Sequence, residues 1–172
     1  FKINLYKTPL HFAVMGNSQE IISFLLSQPN IDIKPNAFYG SQKLRRITFP
    51  STINSINENC FKYCSSLIEV NISPSLNFIG EGAFFRCISL TSIKLPTSIT
   101  SIEESTFTEC SSLTQIEIPE SVTIIKSNAF SECSSLKEIT IPKSVIKIKS
   151  EAFKKCSSLK KVTFENPSSC VK

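Results

Sequence analysis

The stretch AFSECSSLKEITIPKSVIKIKSEAF, residues 129–153, closes on the same Ala-Phe pair with which it opens, 23 residues later. That period runs through most of the chain. Phe38, Phe61, Phe84, Phe107, Phe130 and Phe153 keep it, as do Cys64, Cys87, Cys110, Cys133 and Cys156. Leu44, Leu67, Leu90, Leu113, Leu136 and Leu159 form a third column, and further apolar columns run from Ile47 to Val162, Phe49 to Phe164, Ile53 to Val145 and Ile56 to Ile148. The unit reads A-F-x-x-C-S-S-L-x-x-I-x-I-P-x-S-V-x-x-I-x-x-x. One such unit cannot bury its apolar side alone, so successive units must stack, each covering the next.

Within the unit, L-x-x-I-x-I alternates apolar and polar, the period of a strand with one face buried. Pro50, Pro96, Pro119 and Pro142 follow it; lacking an N–H, each favours the end of a ladder. The Ala-Phe pair stands three or four residues before the Cys, the spacing of one helical turn. The expected fold is an α/β repeat solenoid of about six curved coils, each with a strand, a turn and a helical or 3₁₀ turn, the strands forming a parallel β-sheet. Polar residues flank the inward strand positions: Arg46, Glu69, Gln115, Glu138 and Lys161 in one column, and Asn71, Lys94 and Glu117 in the next. Opposite the core, they line the sheet face that a solenoid offers to partners. Any one of them is also accounted for as a solvated surface residue, but their mixed signs suit a protein partner better than a polyanion.

With its Phe, Cys, Leu and Ile columns, the stretch from 33 to 172 resembles the BspA-like, or Treponema pallidum-type, leucine-rich repeats. Ser41 replaces Cys in the first copy, Cys60 and Thr106 replace Ala, and Ser73-Pro74 shifts the proline by one place. The resemblance implies protein binding, and an association with cell surfaces and adhesion to host or matrix proteins.

The front end follows another pattern. Thr8-Pro9-Leu10-His11-Phe12-Ala13 resembles the T-P-L-H-x-A signature of ankyrin repeats, with Thr8 able to cap a helix that begins on Pro9 and ends at Gly16. A second helix starts at Ser18-Gln19-Glu20, with Ile21, Ile22, Phe24, Leu25 and Leu26 on its apolar face, and Pro29-Asn30 breaks it. The chain thus divides into an ankyrin helix pair at 1–32 and leucine-rich repeats at 33–172, the latter stopping part-way through a coil. Ile33 already belongs to the Ile56 column, so the two parts are expected to pack as one rod. A chain that opens on Phe1 is expected to be a piece of a longer protein.

Chemistry is sparse. His11 is the single histidine and fits a structural role at the start of the first helix; no nucleophile or orienting acid accompanies it in a motif. Phosphate loops, H-E-x-x-H and C-x-x-C pairs are absent, so no enzyme, cofactor or metal is expected. The column cysteines read as free buried thiols, because stacked side chains run parallel in a poor disulfide geometry. Of the net charge of +5, residues 137–172 hold 9 Lys against 3 Glu, while the rest is nearly balanced. That basic end can attract anionic partners or membranes, but no aromatic residues interleave with the lysines as a nucleic-acid site would have them, and a solvated face is the plainer reading. No stretch approaches the ~20 apolar residues of a membrane span. Ankyrin repeats and free thiols suit an intracellular scaffold, and the BspA-like resemblance suits a surface antigen or adhesin.

Overall fold

The chain was described from a computed structural model covering Ala13, Gly16, residues 19–28 and residues 33–165. It winds as a solenoid of parallel strands with about five turns. One side carries β1 (Arg46–Thr48), β3 (Glu69–Asn71), β5 (Ser92–Lys94), β7 (Gln115–Glu117), β9 (Glu138–Ile141) and β11 (Lys161–Phe164). Another side carries the shorter β2 (Ser55–Ile56), β4 (Phe78–Ile79), β6 (Ser101–Ile102), β8 (Ile124–Ile125) and β10 (Lys147–Ile148). All pairings are parallel and advance by one repeat: Ile47 faces Val70, Ile93 faces Ile116, Ile139 faces Val162, and Ile102 faces Ile125. The long side is bonded in the pairs β1–β3, β5–β7 and β9–β11, not as one uninterrupted ladder.

Two features depart from the sequence reading. Each coil has a second short strand where only one was expected, built on the S-V-x-x-I segment; its burial pattern, inward at Ile56, Ile79, Ile102 and Ile125, was already present as the isoleucine column. The Ala-Phe-x-x-Cys segment is a run of turns and not a helical or 3₁₀ turn, so the coils are β-solenoid in character. The reason lies in the backbone. Asn36, Asn59, Gly82, Ser105, Asn128 and Glu151 form one left-handed column, and Gly40, Tyr63, Arg86, Glu109, Glu132 and Lys155 a second, with φ between 52° and 68°. Glycine and asparagine accept this region readily, other side chains only at a cost. In return, alternate amides turn outward. Asn59, Phe61 and Tyr63 donate to the carbonyls of Glu81, Ala83 and Phe85 one coil on, at 2.9, 2.7 and 2.8 Å. The amides that alternate with them, those of Cys60, Lys62 and Cys64, close turns within their own coil. A helix would have directed every N–H along its own axis and left the coils unjoined.

The core is a single cluster running from Ala13 to Ala152. Its axis is the phenylalanine column: Phe61, Phe84, Phe107, Phe130 and Phe153 stack on one another with centroids 5.3–5.5 Å apart and planes within 6°. Phe38 joins them at 4.8 Å from Phe61. The cysteine column serves the turns. Each thiol of Cys64, Cys87, Cys110, Cys133 and Cys156 donates to the carbonyl of the column phenylalanine in the preceding coil, at 2.9–3.2 Å. A small buried donor is what the site needs, and every described cysteine is free. Burial pushes the thiols up, that of Cys64 to about 12. With Cys170 replaced by serine, iodoacetamide at neutral pH is therefore expected to leave Cys60, Cys64, Cys87, Cys110 and Cys133 unmodified in the folded chain and to label all of them in denaturant, as read by mass spectrometry; rapid native labelling would contradict the packing.

At the front, α1 (Gln19–Ser27) matches the second helix expected there. Ile22 and Leu26 are buried and Leu25 packs against the core, but Ile21 and Phe24 face solvent, at 51 % and 63 % exposure. They are not core residues, because a nine-residue helix lying on a solenoid end buries only one stripe. Of the expected first helix, only Ala13 and Gly16 fall within the described residues; Thr8, Pro9 and His11 lie outside them. Among the described residues no helix is long and apolar enough to cross a membrane.

Candidate functional site

The long strands alternate in burial, so every residue flanking the inward Ile47, Val70, Ile93, Ile116 and Ile139 faces outward. All eight expected sheet-face residues are exposed: Arg46 on β1, Glu69 and Asn71 on β3, Lys94 on β5, Gln115 and Glu117 on β7, Glu138 on β9 and Lys161 on β11. They form three groups. Arg46 meets Glu69 at 3.1 Å, and Asn71 donates to Glu69 Oε1 at 3.0 Å. Lys94 stands in register with Glu117, and with Ser92 and Gln115 they line a shallow depression of about 400 Å³, with the backbone of the inward Ile93 and Ile116 between them. Glu138 and Lys161 stand in register farther along. Opposite charges face one another across the ladder in each group, an arrangement that supports strand pairing and leaves a surface of alternating sign. Ion pairs this exposed contribute little to stability.

Two surface features escape a reading by columns of like residues. Lys43, Arg45, Ser66, Ile68 and Ser89 line a second depression of about 300 Å³ beside the strands. On the turn side, Tyr39, Tyr63 and Phe85 meet edge to face at 5.5 and 5.6 Å, with the Lys62 ammonium 4.7 Å from the Phe85 ring centre. These residues occupy variable positions, where later coils carry Thr108, Glu109, Ser131 and Glu132; the only available signal was that the front coils break the polar pattern. Among the described residues no group of three or more His, Cys, Asp and Glu is placed to hold a metal ion.

The stacked geometry agrees with comparison to known proteins. Residues 14–113 match the model of the BspA-type leucine-rich repeat region, which has six copies. The chain belongs to the BspA-type leucine-rich repeat family. Among solved structures, this BspA-type chain is similar to a leucine-rich cell surface protein of Faecalibacterium prausnitzii, with 36 % identity over 72 % of this chain and 32 % of that one and a TM-score of 0.69. It is also similar to the Treponema pallidum leucine-rich repeat protein, with 28 % identity over 80 % of this chain and 64 % of that one and a TM-score of 0.71. A leucine-rich repeat protein of Bacteroides ovatus matches at 34 % identity, 75 % and 32 % coverage, and a TM-score of 0.65. The chain thus spans about a third of the Faecalibacterium and Bacteroides proteins. No curated protein matches it. The BspA-type repeat explains the phenylalanine spine and the parallel ladders together; it is a fold typical of protein interaction.

Proposed function

We propose that this BspA-type solenoid is a non-enzymatic binding module that holds a protein partner on its long-strand face, in the manner of a surface antigen or adhesin. The observation that carries the reading is the shallow depression among the outward Ser92, Lys94, Gln115 and Glu117, rimmed by one cation and one carboxylate. Such a site offers hydroxyl, amide and charged groups of both signs to a partner, the polar and charge-complementary part of a protein interface. The cell-surface description of the Faecalibacterium protein supports an extracellular setting. The swap Lys94→Glu with Glu117→Lys preserves the cross-strand pair while inverting the surface field. Proteins captured from host extracellular matrix by the immobilised chain are expected to be lost with the swap and kept with Thr108→Glu on the turn side. Capture unaffected by the swap would remove the sheet face from the function.

A second reading is an intracellular scaffold, favoured by the front end. Residues 1–32 are proposed as an ankyrin-type unit, with α1 as its second helix and the outward Ile21 and Phe24 as the side chains that a neighbouring repeat would cover. Surface biotinylation of intact cells expressing the gene decides between the two: labelling supports the adhesin, and its absence supports the scaffold.

A further inference from the structure

The basic end of the chain holds a feature that the sheet face does not use. On the short-strand side of the coil that contains β10, Lys143, Ile146, Lys147 and Lys149 are all exposed, Ile146 at 86 %. The repeat shows that coil architecture does not require this. The position of Ile146 is held by Asn54, Asn77, Thr100 and Thr123 in the four preceding coils, each of them exposed. It is an outward column, polar in each of those four coils; Ile31, which shares the register, lies outside the described residues. The backbone there is fixed, since the Ile146 amide donates to the Thr123 carbonyl at 2.9 Å, so the side chain is directed outward into water. A large aliphatic group gains nothing there unless something covers it.

The charges around it are also unusual for this protein. Lys126 meets Glu103 of the preceding coil at 2.5 Å, but Lys149 follows Lys126 in the same column, so cation stacks on cation. Lys147 follows Ile124 in its ladder. Glu120 and Glu165 lie beside Lys143, and Glu151 is engaged by Lys154 at 2.9 Å, which among the described residues leaves Lys147 and Lys149 as a pair of cations without an ion pair next to Ile146. Neither of the two depressions described above includes these residues, and no aromatic group is interleaved among the lysines to stack a nucleic-acid base. A protruding aliphatic side chain between lysines fits a surface that is soft, apolar below and anionic above. Lysine stems lie along such a boundary while their ammonium groups reach the headgroups.

We propose that the edge formed by Ile146, Lys147 and Lys149 docks the solenoid peripherally on an anionic lipid surface, with Ile146 entering the acyl boundary and the two lysines meeting headgroup phosphate or carboxylate. The long-strand face stands on a different side of the coil and remains free. The test is co-sedimentation of the chain with phosphatidylcholine vesicles with and without phosphatidylserine, a spin without vesicles being subtracted. Pelleting is expected with the anionic vesicles only, and less of it at high salt. Lys147→Ser and Lys149→Asn restore residues that other coils carry at these positions, and each is expected to lower partitioning about five-fold. Ile146→Thr, the residue of the preceding coil, is expected to lower it several-fold with the far-UV spectrum and melting temperature unchanged. Equal pelleting with neutral vesicles overturns the proposal, as does wild-type behaviour of all three variants. Retention on heparin without vesicle binding also overturns it and identifies a soluble polyanion instead.

Discussion

Phe107→Ala is expected to lower the stability of the chain by about 4–5 kcal/mol, enough to unfold a marginal domain. Phe107 is fully buried and stacks on both sides, 5.5 Å from Phe84 and 5.4 Å from Phe130. Truncation removes the transfer energy of the ring and leaves a cavity that neighbouring coils cannot fill, because the backbones above and below are pinned by the bonds from Phe84 to Thr106 and from Phe107 to Ala129. Two aromatic pairs go with it, each worth roughly 0.5–1.5 kcal/mol beyond its area. Phe153→Ala supplies the comparison: that ring is only partly buried and has one stacked neighbour, Phe130, so about 1–2 kcal/mol is expected by the same principles. Urea denaturation of both variants measures the difference. Equal losses would mean that the rings do not form one spine.

The second large effect is a collapse of stability at alkaline pH. Cys60, Cys64, Cys87, Cys110 and Cys133 are buried, and desolvation is the leading cause that holds each thiol above its usual range. In the unfolded chain the same thiols ionise near pH ~8.5. Above that value the unfolded state sheds protons that the folded state retains, so the stability is fully present below about 8.5 and is lost as pH rises from there toward the folded values. Each thiol contributes a slope of about 1.4 kcal/mol per pH unit, and five together remove about 7 kcal/mol between about pH 9 and 10. That is comparable with the whole stability of a domain. Urea midpoints measured in reductant from neutral pH upward are expected to fall steeply past this point, and Cys87→Ala with Cys110→Ala to flatten the slope by two fifths. A level profile through pH ~10 would show that the thiols ionise as readily inside as outside.

Much of the architecture was written in the repeat itself. Columns that recur every 23 residues fix which side chains are stacked, so the phenylalanine spine, the free thiols and the outward placing of Arg46, Glu69, Asn71, Lys94, Gln115, Glu117, Glu138 and Lys161 could all be read before any coordinates. The turn side was not. Phenylalanine and cysteine three residues apart fit a helical turn and a chain of tight turns equally well, and left-handed backbone at Tyr63, Arg86 or Glu132 has no signature in residue type, because tertiary bonding overrides local preference there. The short strands were missed for a related reason: two residues are too few to show a period. Ile146 and the Tyr39–Tyr63–Phe85 cluster were overlooked because columns of like residues pass over the coils that differ.

The alternating left-handed residues also give the rod a direction. On the turn side every outward amide gives its proton to the coil after it and every matching carbonyl receives from the coil before it, as from Phe38 to Cys60, Phe84 to Thr106 and Phe130 to Ala152. A whole 23-residue unit copied into or deleted from the middle meets the same donors behind and the same acceptors ahead. An insertion of any other length in the turn segment misaligns both left-handed columns at once. Such a chain can lengthen or shorten across generations in whole coils while its seams stay closed, and it can change its surface one coil at a time.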